Sequence, residues 1–174
     1  MELRDALPAS VLTERLVLRA PRLSDLDNLV TKANDWEVLE PTASLPFPYL
    51  EEHGRGFIDR FSTKPGNRSY VIADRETDHL MGVIGLYFHA DRPVELGYWL
   101  GRAHWGQGFA PEAVSGLLSV AAPLGLSPVR ARVLAANPAS VRVLEKSGFV
   151  LVEETVSVVE RHRGKPLLIL EWHA

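Results

Sequence analysis

The sequence predicts a single α/β domain with one mixed sheet of about seven strands and four helices, and three observations predict it. A chain of 174 residues suits one substantial core and leaves little room for two. Stretches of period-two alternation are interleaved with stretches of helical spacing, in the order strand, two helices, three strands, helix, strand, helix, two strands. The strand–helix–strand unit in the second half implies a right-handed parallel crossover. No internal repeat, low-complexity tract or composition shift marks a linker, so residues 1–174 are expected to form one domain.

TERLVLRA (13–20) sets Leu16 and Leu18 on one face and Val17 and Arg19 on the other, which is a strand. SDLDNLVTKAND (24–35) opens on a serine cap followed by acids, the chemistry of a helix start. EPTASLPFPYL (40–50) is Pro-rich and aromatic and reads as a loop, and EEHGRGFIDRF (51–61) as a helix weakened by its glycines. SYVIAD (69–74) and LMGVIGLYFH (80–89) are two strands turning at Thr77-Asp78, and PVELGYWLG (93–101) is a third. From 107 to about 122, Val114, Leu117, Leu118 and Ala121 recur on one helical face. VRARVL (129–134) alternates as a strand. Asn137-Pro138 then places an N-cap beside a first-turn proline, and Gly148 ends the helix so begun. FVLVEETVSVVE and LLILEW close the chain as strands.

Composition narrows the function classes. The chain is 46% hydrophobic and 24% charged, with a net charge of −3 and a pI near 6.1. It lacks the basic footprint of a nucleic-acid binder, and its arginines are scattered. The absence of cysteine removes disulfides, thiolate metal sites and a cysteine nucleophile together. The N-terminal MELRDALPAS has no signal-peptide shape, and VSGLLSVAAPLGL is too short and too broken to span a membrane. A cytoplasmic protein without nucleic-acid or membrane partners is expected.

One stretch needs a special reason. HWGQGFAPEA (104–113) places Gly106 and Gly108 around Gln107, just before a helix. Glycine costs backbone entropy, so a strained turn or a ligand lying against bare backbone must repay it. A P-loop fails, because Gln107 stands where lysine is needed and no Ser or Thr follows. A dinucleotide fingerprint fails too, because its third glycine falls on Pro111 and the loop comes after four strands rather than one. What survives is a strand ending at Leu100, a loop of consecutive N–H groups, and a helix start near Gln107, which together form a ready anion site.

LGYWLGRAHWGQGFAPEA, followed about thirty residues later by NPASVRVLEKSGF, resembles the GNAT acyl-CoA N-acyltransferases. The opening LTERLVLRAPRLSDLDNL is similar to the first strand and helix of the branch typified by ribosomal-protein N-terminal (Rim-type) acetyltransferases. The resemblance covers nearly the whole chain and implies the GNAT fold, a mostly antiparallel sheet with one splayed parallel pair. It implies acetyl-CoA as acyl-donor co-substrate and no metal. It also implies that Trp105, Gly106, Gln107, Gly108, Phe109 and Ala110 wrap the pyrophosphate, with Arg102 a further cofactor-binding residue. The strand at Tyr98, Trp99 and Leu100 would pair its exposed backbone with the pantetheine arm and stabilise the oxyanion. Many members protonate the leaving thiolate with a tyrosine where this chain has Leu144. In the branch resembled here, residues matching Asn137 and Ser140 lie beside the thioester, so Ser140 is expected to donate.

The reaction so implied is attack of a primary amine on the thioester. Without a cysteine, direct transfer in a ternary complex is favoured over an acyl-enzyme. Glu95, on the strand leading to the splay, is the candidate base, with His79, His89 and His104 as alternatives. Tyr98, three residues on, faces the other side unless a bulge intervenes. Trp36, Phe47 and Tyr49 are candidate acceptor-side residues, and Glu112 reads as compensation of a helix dipole. The acceptor is expected to be a protein N-terminus or a small-molecule amine, and the protein a monomer or homodimer. The alternative is a non-catalytic acyl-CoA-binding or interaction module.

Overall fold

A computed structural model describes residues 2–61 and 67–174. The strands are β1 (Val11–Leu12), β2 (Leu16–Arg19), β3 (Asn67–Asp74), β4 (Leu80–Tyr87), β5 (Val94–Leu100), β6 (Val129–Leu134), β7 (Val150–Val156) and β8 (Pro166–Trp172). The helices are α1 (Leu3–Ala6), α2 (Leu26–Ala33), α3 (Trp36–Leu39), α4 (Glu51–Arg60), α5 (Phe109–Ala121) and α6 (Pro138–Lys146). One sheet holds all eight strands in the order β1-β2-β3-β4-β5-β6-β8-β7. Every neighbouring pair is antiparallel except β5 and β6, which run parallel.

The sheet separates two apolar layers. Tyr70 and Ile72 of β3 and Ile84 and Leu86 of β4 face a core that includes Ala113, Val114, Leu117, Leu118 and Ala121 of α5. Val71, Ala73 and Val83 alternate with them and meet Leu29 and Ala33 of α2 on the other face. Residues 80–86 of β4 are all buried, as befits a central strand covered on both sides.

The count exceeds the expected seven strands and four helices by β1, α1 and α3, which are too short to show periodicity. The expected helix over 24–35 begins with a 3-10 turn at Leu23–Asp25. There the Asp25 carboxylate accepts from Arg22 N–H and from the Arg19 guanidinium, which is buried. The helix expected from Gln107 begins instead at Phe109, because Gly108 has φ +79 and cannot be helical. Asn137 caps α6 through Ser140 N–H, and Gly148 at φ +92 terminates it, as the sequence pattern required.

Candidate active site

β5 and β6 share only two register positions, Val94 with Val129 and Glu95 with Arg130. Beyond Glu95 the two strands part, while β5 stays in unbroken register with β4 up to Leu100. The gap opens into a cavity of about 1140 Å³. Of the residues singled out from sequence, Glu95, Tyr98, Trp99, Leu100, Trp105, Gly106, Gly108, Phe109, Ala110, Asn137 and Ser140 line it. Gln107 and Arg102 do not. Gln107 turns its amide to Ala103 O, and Arg102 forms ion pairs with Asp35 and Glu37.

The glycine loop has both features that justify glycine. Gly106 and Gly108 lie at φ +72 and +79, a conformation that other residues rarely adopt. Among the described residues, none accepts a hydrogen bond from the amides of Gly106, Gln107, Gly108, Phe109 or Ala110. These N–H groups stand at the positive end of the thirteen-residue α5, an arrangement that favours an anion. The loop is clasped from behind by the turn between β1 and β2. Glu112 accepts from Thr13 Oγ1, Arg15 N–H and Arg15 Nε, each at 2.7 Å. Arg15 also donates to Gln107 O at 2.9 Å and lies 4.2 Å from the Phe109 ring centroid. Burial pushes the Glu112 carboxyl upward, but the bonds from Thr13 and Arg15 together outweigh it and hold the group below its ordinary range. Glu112 therefore does more than compensate a dipole. Sequence reasoning missed Thr13 and Arg15, whose partners lie 99 and 97 residues away.

Across the cavity, the Asn137 side chain accepts from Ser140 N–H at 3.3 Å, and the Ser140 hydroxyl lies 2.9 Å from that of Tyr98. Leu144 is buried in the core one turn further along α6. Because no bulge interrupts β5 against β4, Glu95 and Tyr98 face opposite sides of the sheet. The Glu95 carboxylate is 3.0 Å from Arg132, 3.5 Å from Arg92 and 3.7 Å from His89. His104 also lines the cavity, with Nε2 buried and unpartnered among the described residues. Burial pushes its imidazole below the ordinary value, Lys32 adds to this and Asp74 opposes it. His79 lies in the exposed turn before β4.

On the Glu95 side the cavity is closed by the segment expected to be an acceptor loop. Tyr49 is buried in its wall, and desolvation pushes the phenol up to about 12. Trp36 and Phe47 are exposed and pack edge to face, 5.2 Å between centroids. The segment between β7 and β8 holds this loop in place. Arg161 donates to Leu39 O and Thr42 O, each at 3.1 Å, and to Leu45 O. His162 is buried against Glu40 O, and Lys165 reaches the Glu40 carboxylate.

The sequence pattern of the acetyltransferase (GNAT) domain matches residues 15–150. An uncharacterized N-acetyltransferase of Bacillus licheniformis, p20, is 33% identical over 142 residues, which is 79% of this chain and 80% of that protein. A GNAT-family acetyltransferase from Bacillus anthracis superposes with a TM-score of 0.82 at 19% identity, covering 94% of this chain and 98% of the other. The spermidine N-acetyltransferase of Vibrio cholerae, solved with CoA and spermine, superposes at 0.77 with 21% identity, covering 92% and 96%. With its splayed parallel pair and glycine loop in one mixed sheet, this chain belongs to the GNAT acetyltransferases.

Proposed function

We propose that the protein transfers the acetyl group of acetyl-CoA to a primary amine by direct attack in a ternary complex. The observation that carries this reading is the opening between β5 and β6. It joins the unpaired amides of the glycine loop to the hydroxyl of Ser140 within one cavity. The residues present suit the donor. The amides of 106, 108, 109 and 110 would hold its pyrophosphate, and the unpaired edge of β5 beyond Glu95 would pair with its amide-bearing arm. When bound, acetyl-CoA supplies an activated acyl group, and the chain's own contribution is orientation, hydrogen bonding and proton movement.

Asn137 would fix the first turn of α6, from which Ser140 donates to the departing sulfur. Glu95 remains our candidate base on the amine side, held among Arg92, Arg132 and His89. An α-amino acceptor, with a pKa near ~8, would need less help than a lysine near ~10.4. A protein N-terminus is therefore the favoured acceptor, in line with the resemblance to the Rim-type branch, with a small polyamine as the second choice. A binding-only module is not favoured. The relatives are acetyltransferases, and Ser140 offers a hydroxyl that Leu144 cannot.

The test is a kinetic comparison of Ser140→Ala and Asn137→Ala with the wild type. Each is expected to lower turnover about a hundredfold, the low end of general acid–base contributions, with the Kd for acetyl-CoA held within about twofold. Unchanged turnover in both would remove these roles.

A further inference from the structure

Tyr98 stands in β5 and Ser140 in the first turn of α6, 42 residues apart in sequence, with their hydroxyls at 2.9 Å. Both residues line the cavity. The unbroken β4–β5 register puts Tyr98 on the face opposite Glu95, so it is remote from the expected base and beside the expected acid. The sequence suggests only a backbone role for Tyr98, and its hydroxyl has so far been given no task.

A serine hydroxyl is a far weaker acid than a thiol. Ser140 cannot give its proton to a leaving sulfur and remain an alkoxide, so it must receive a proton as it gives one. Asn137 cannot supply it, because its side-chain oxygen is taken by Ser140 N–H and an amide N–H is too weak an acid to give up its proton. Tyr98 can, since a phenol is the more acidic of the two hydroxyls and so prefers to donate to Ser140. That arrangement also leaves the serine hydrogen free to point into the cavity, and it polarises the serine O–H. Burial pushes the Tyr98 phenol above its ordinary value, more than its bond to Ser140 pulls it down, so the phenol keeps its proton through the neutral range.

We propose that Tyr98 is a positioning residue for acyl transfer, orienting the Ser140 hydroxyl and refilling it with a proton as Ser140 protonates the departing sulfur. This deepens the acetyl-transfer reading and rests on it. As the amine nitrogen bonds to the acetyl carbon, the carbon–sulfur bond breaks and its electron pair leaves on sulfur. Ser140 gives its proton to that sulfur and takes the Tyr98 proton in the same movement. Tyr98 regains a proton from cavity solvent, to which Glu95 passes on the proton it takes when the amine becomes an amide. The sum is one proton moved from nitrogen to sulfur. A strand tyrosine thus acts through Ser140, where a helix tyrosine at the Leu144 position would reach the sulfur directly.

The experiment is single-turnover acetylation, in wild type and variants, of an amine that the wild type accepts. Tyr98→Phe keeps the ring and removes only the hydroxyl. It is expected to bind acetyl-CoA within about twofold of wild type and to react at least about tenfold more slowly. Tyr98→Phe/Ser140→Ala should be no slower than the slower single variant, since the two hydroxyls act as a unit. Rates in mixtures of H₂O and D₂O should curve with deuterium fraction in the wild type, where two protons move, and the curvature should shrink in Tyr98→Phe, where the concerted relay is lost. A wild-type rate in Tyr98→Phe, multiplicative losses in the double variant, or the same curvature in both proteins would overturn the relay. A wild type that binds acetyl-CoA yet acetylates no amine would overturn the acetyl-transfer reading itself, and the relay with it. The two failures differ because the second shows before any substitution is made.

Discussion

At Gly108 a side chain would have to occupy φ +79, and the left-handed region costs an L-residue about 1–2 kcal/mol. Its added Cβ would also lie 3.4 Å from the Arg15 guanidinium that clasps the loop. Gly108→Ala should therefore lower stability by about 1–2 kcal/mol. It should also weaken acetyl-CoA binding at least fivefold, read by thermal melting and calorimetry. A variant with unchanged affinity would detach the loop from the donor site. The need for glycine at 106 and 108 was legible in HWGQGFAPEA, and so was a loop of free N–H groups leading into a helix. The sequence left a strained turn and a ligand against bare backbone as rival reasons, and the positive φ at both positions makes the turn a reason whatever ligand binds. The clasp from Thr13 and Arg15 was invisible for a plainer reason, since a hydrogen bond across about a hundred residues leaves no local pattern.

Among the elements, the strands and helices with clear periodicity were legible, and so was the parallel crossover. A two-residue β1 offers no alternation to read, and the start of α5 was misplaced because a positive φ at Gly108 cannot be inferred from helical spacing alone. The least legible element is the β7–β8 connection, whose Arg161 gathers three carbonyls of the acceptor loop from more than a hundred positions away. This contact lies on the side of the cavity that we propose takes the amine, away from the glycine loop. Arg161→Ala should raise the KM for the amine about tenfold while leaving the Kd for acetyl-CoA within about twofold, with Arg161→Lys recovering only part, because one ammonium cannot copy the planar fork. Equal weakening of both substrates would mean a general loosening of the fold.

Over the whole molecule, charge placement makes a statement about acid. Asp78 beside Arg19, Asp35 beside Arg102, Glu171 beside Arg130 and Asp74 under the amide of Thr77 are all held below their ordinary carboxylate values, as is Glu112 in its clasp. A depressed folded pKa gives stability that is present above the unfolded value, near ~4, and is lost as pH falls through the folded one. The Tm should therefore change little from these groups between pH 7 and 5 and fall steeply below about pH 4. A flat Tm down to pH 3 would contradict that placement. The fold class and the glycine loop that we propose holds the donor follow from local patterns that a sequence carries well. The proposed amine side is assembled from distant loops, which a sequence carries poorly. The most direct measurement mixes the protein with acetyl-CoA and pooled amines and N-terminal peptides and follows free thiol with a colorimetric reagent, to which a chain without cysteine adds no background. Thiol release that depends on one acceptor pool, and is about a hundredfold slower in Ser140→Ala, is the predicted result. Bound acetyl-CoA with no thiol released from any pool would contradict the account.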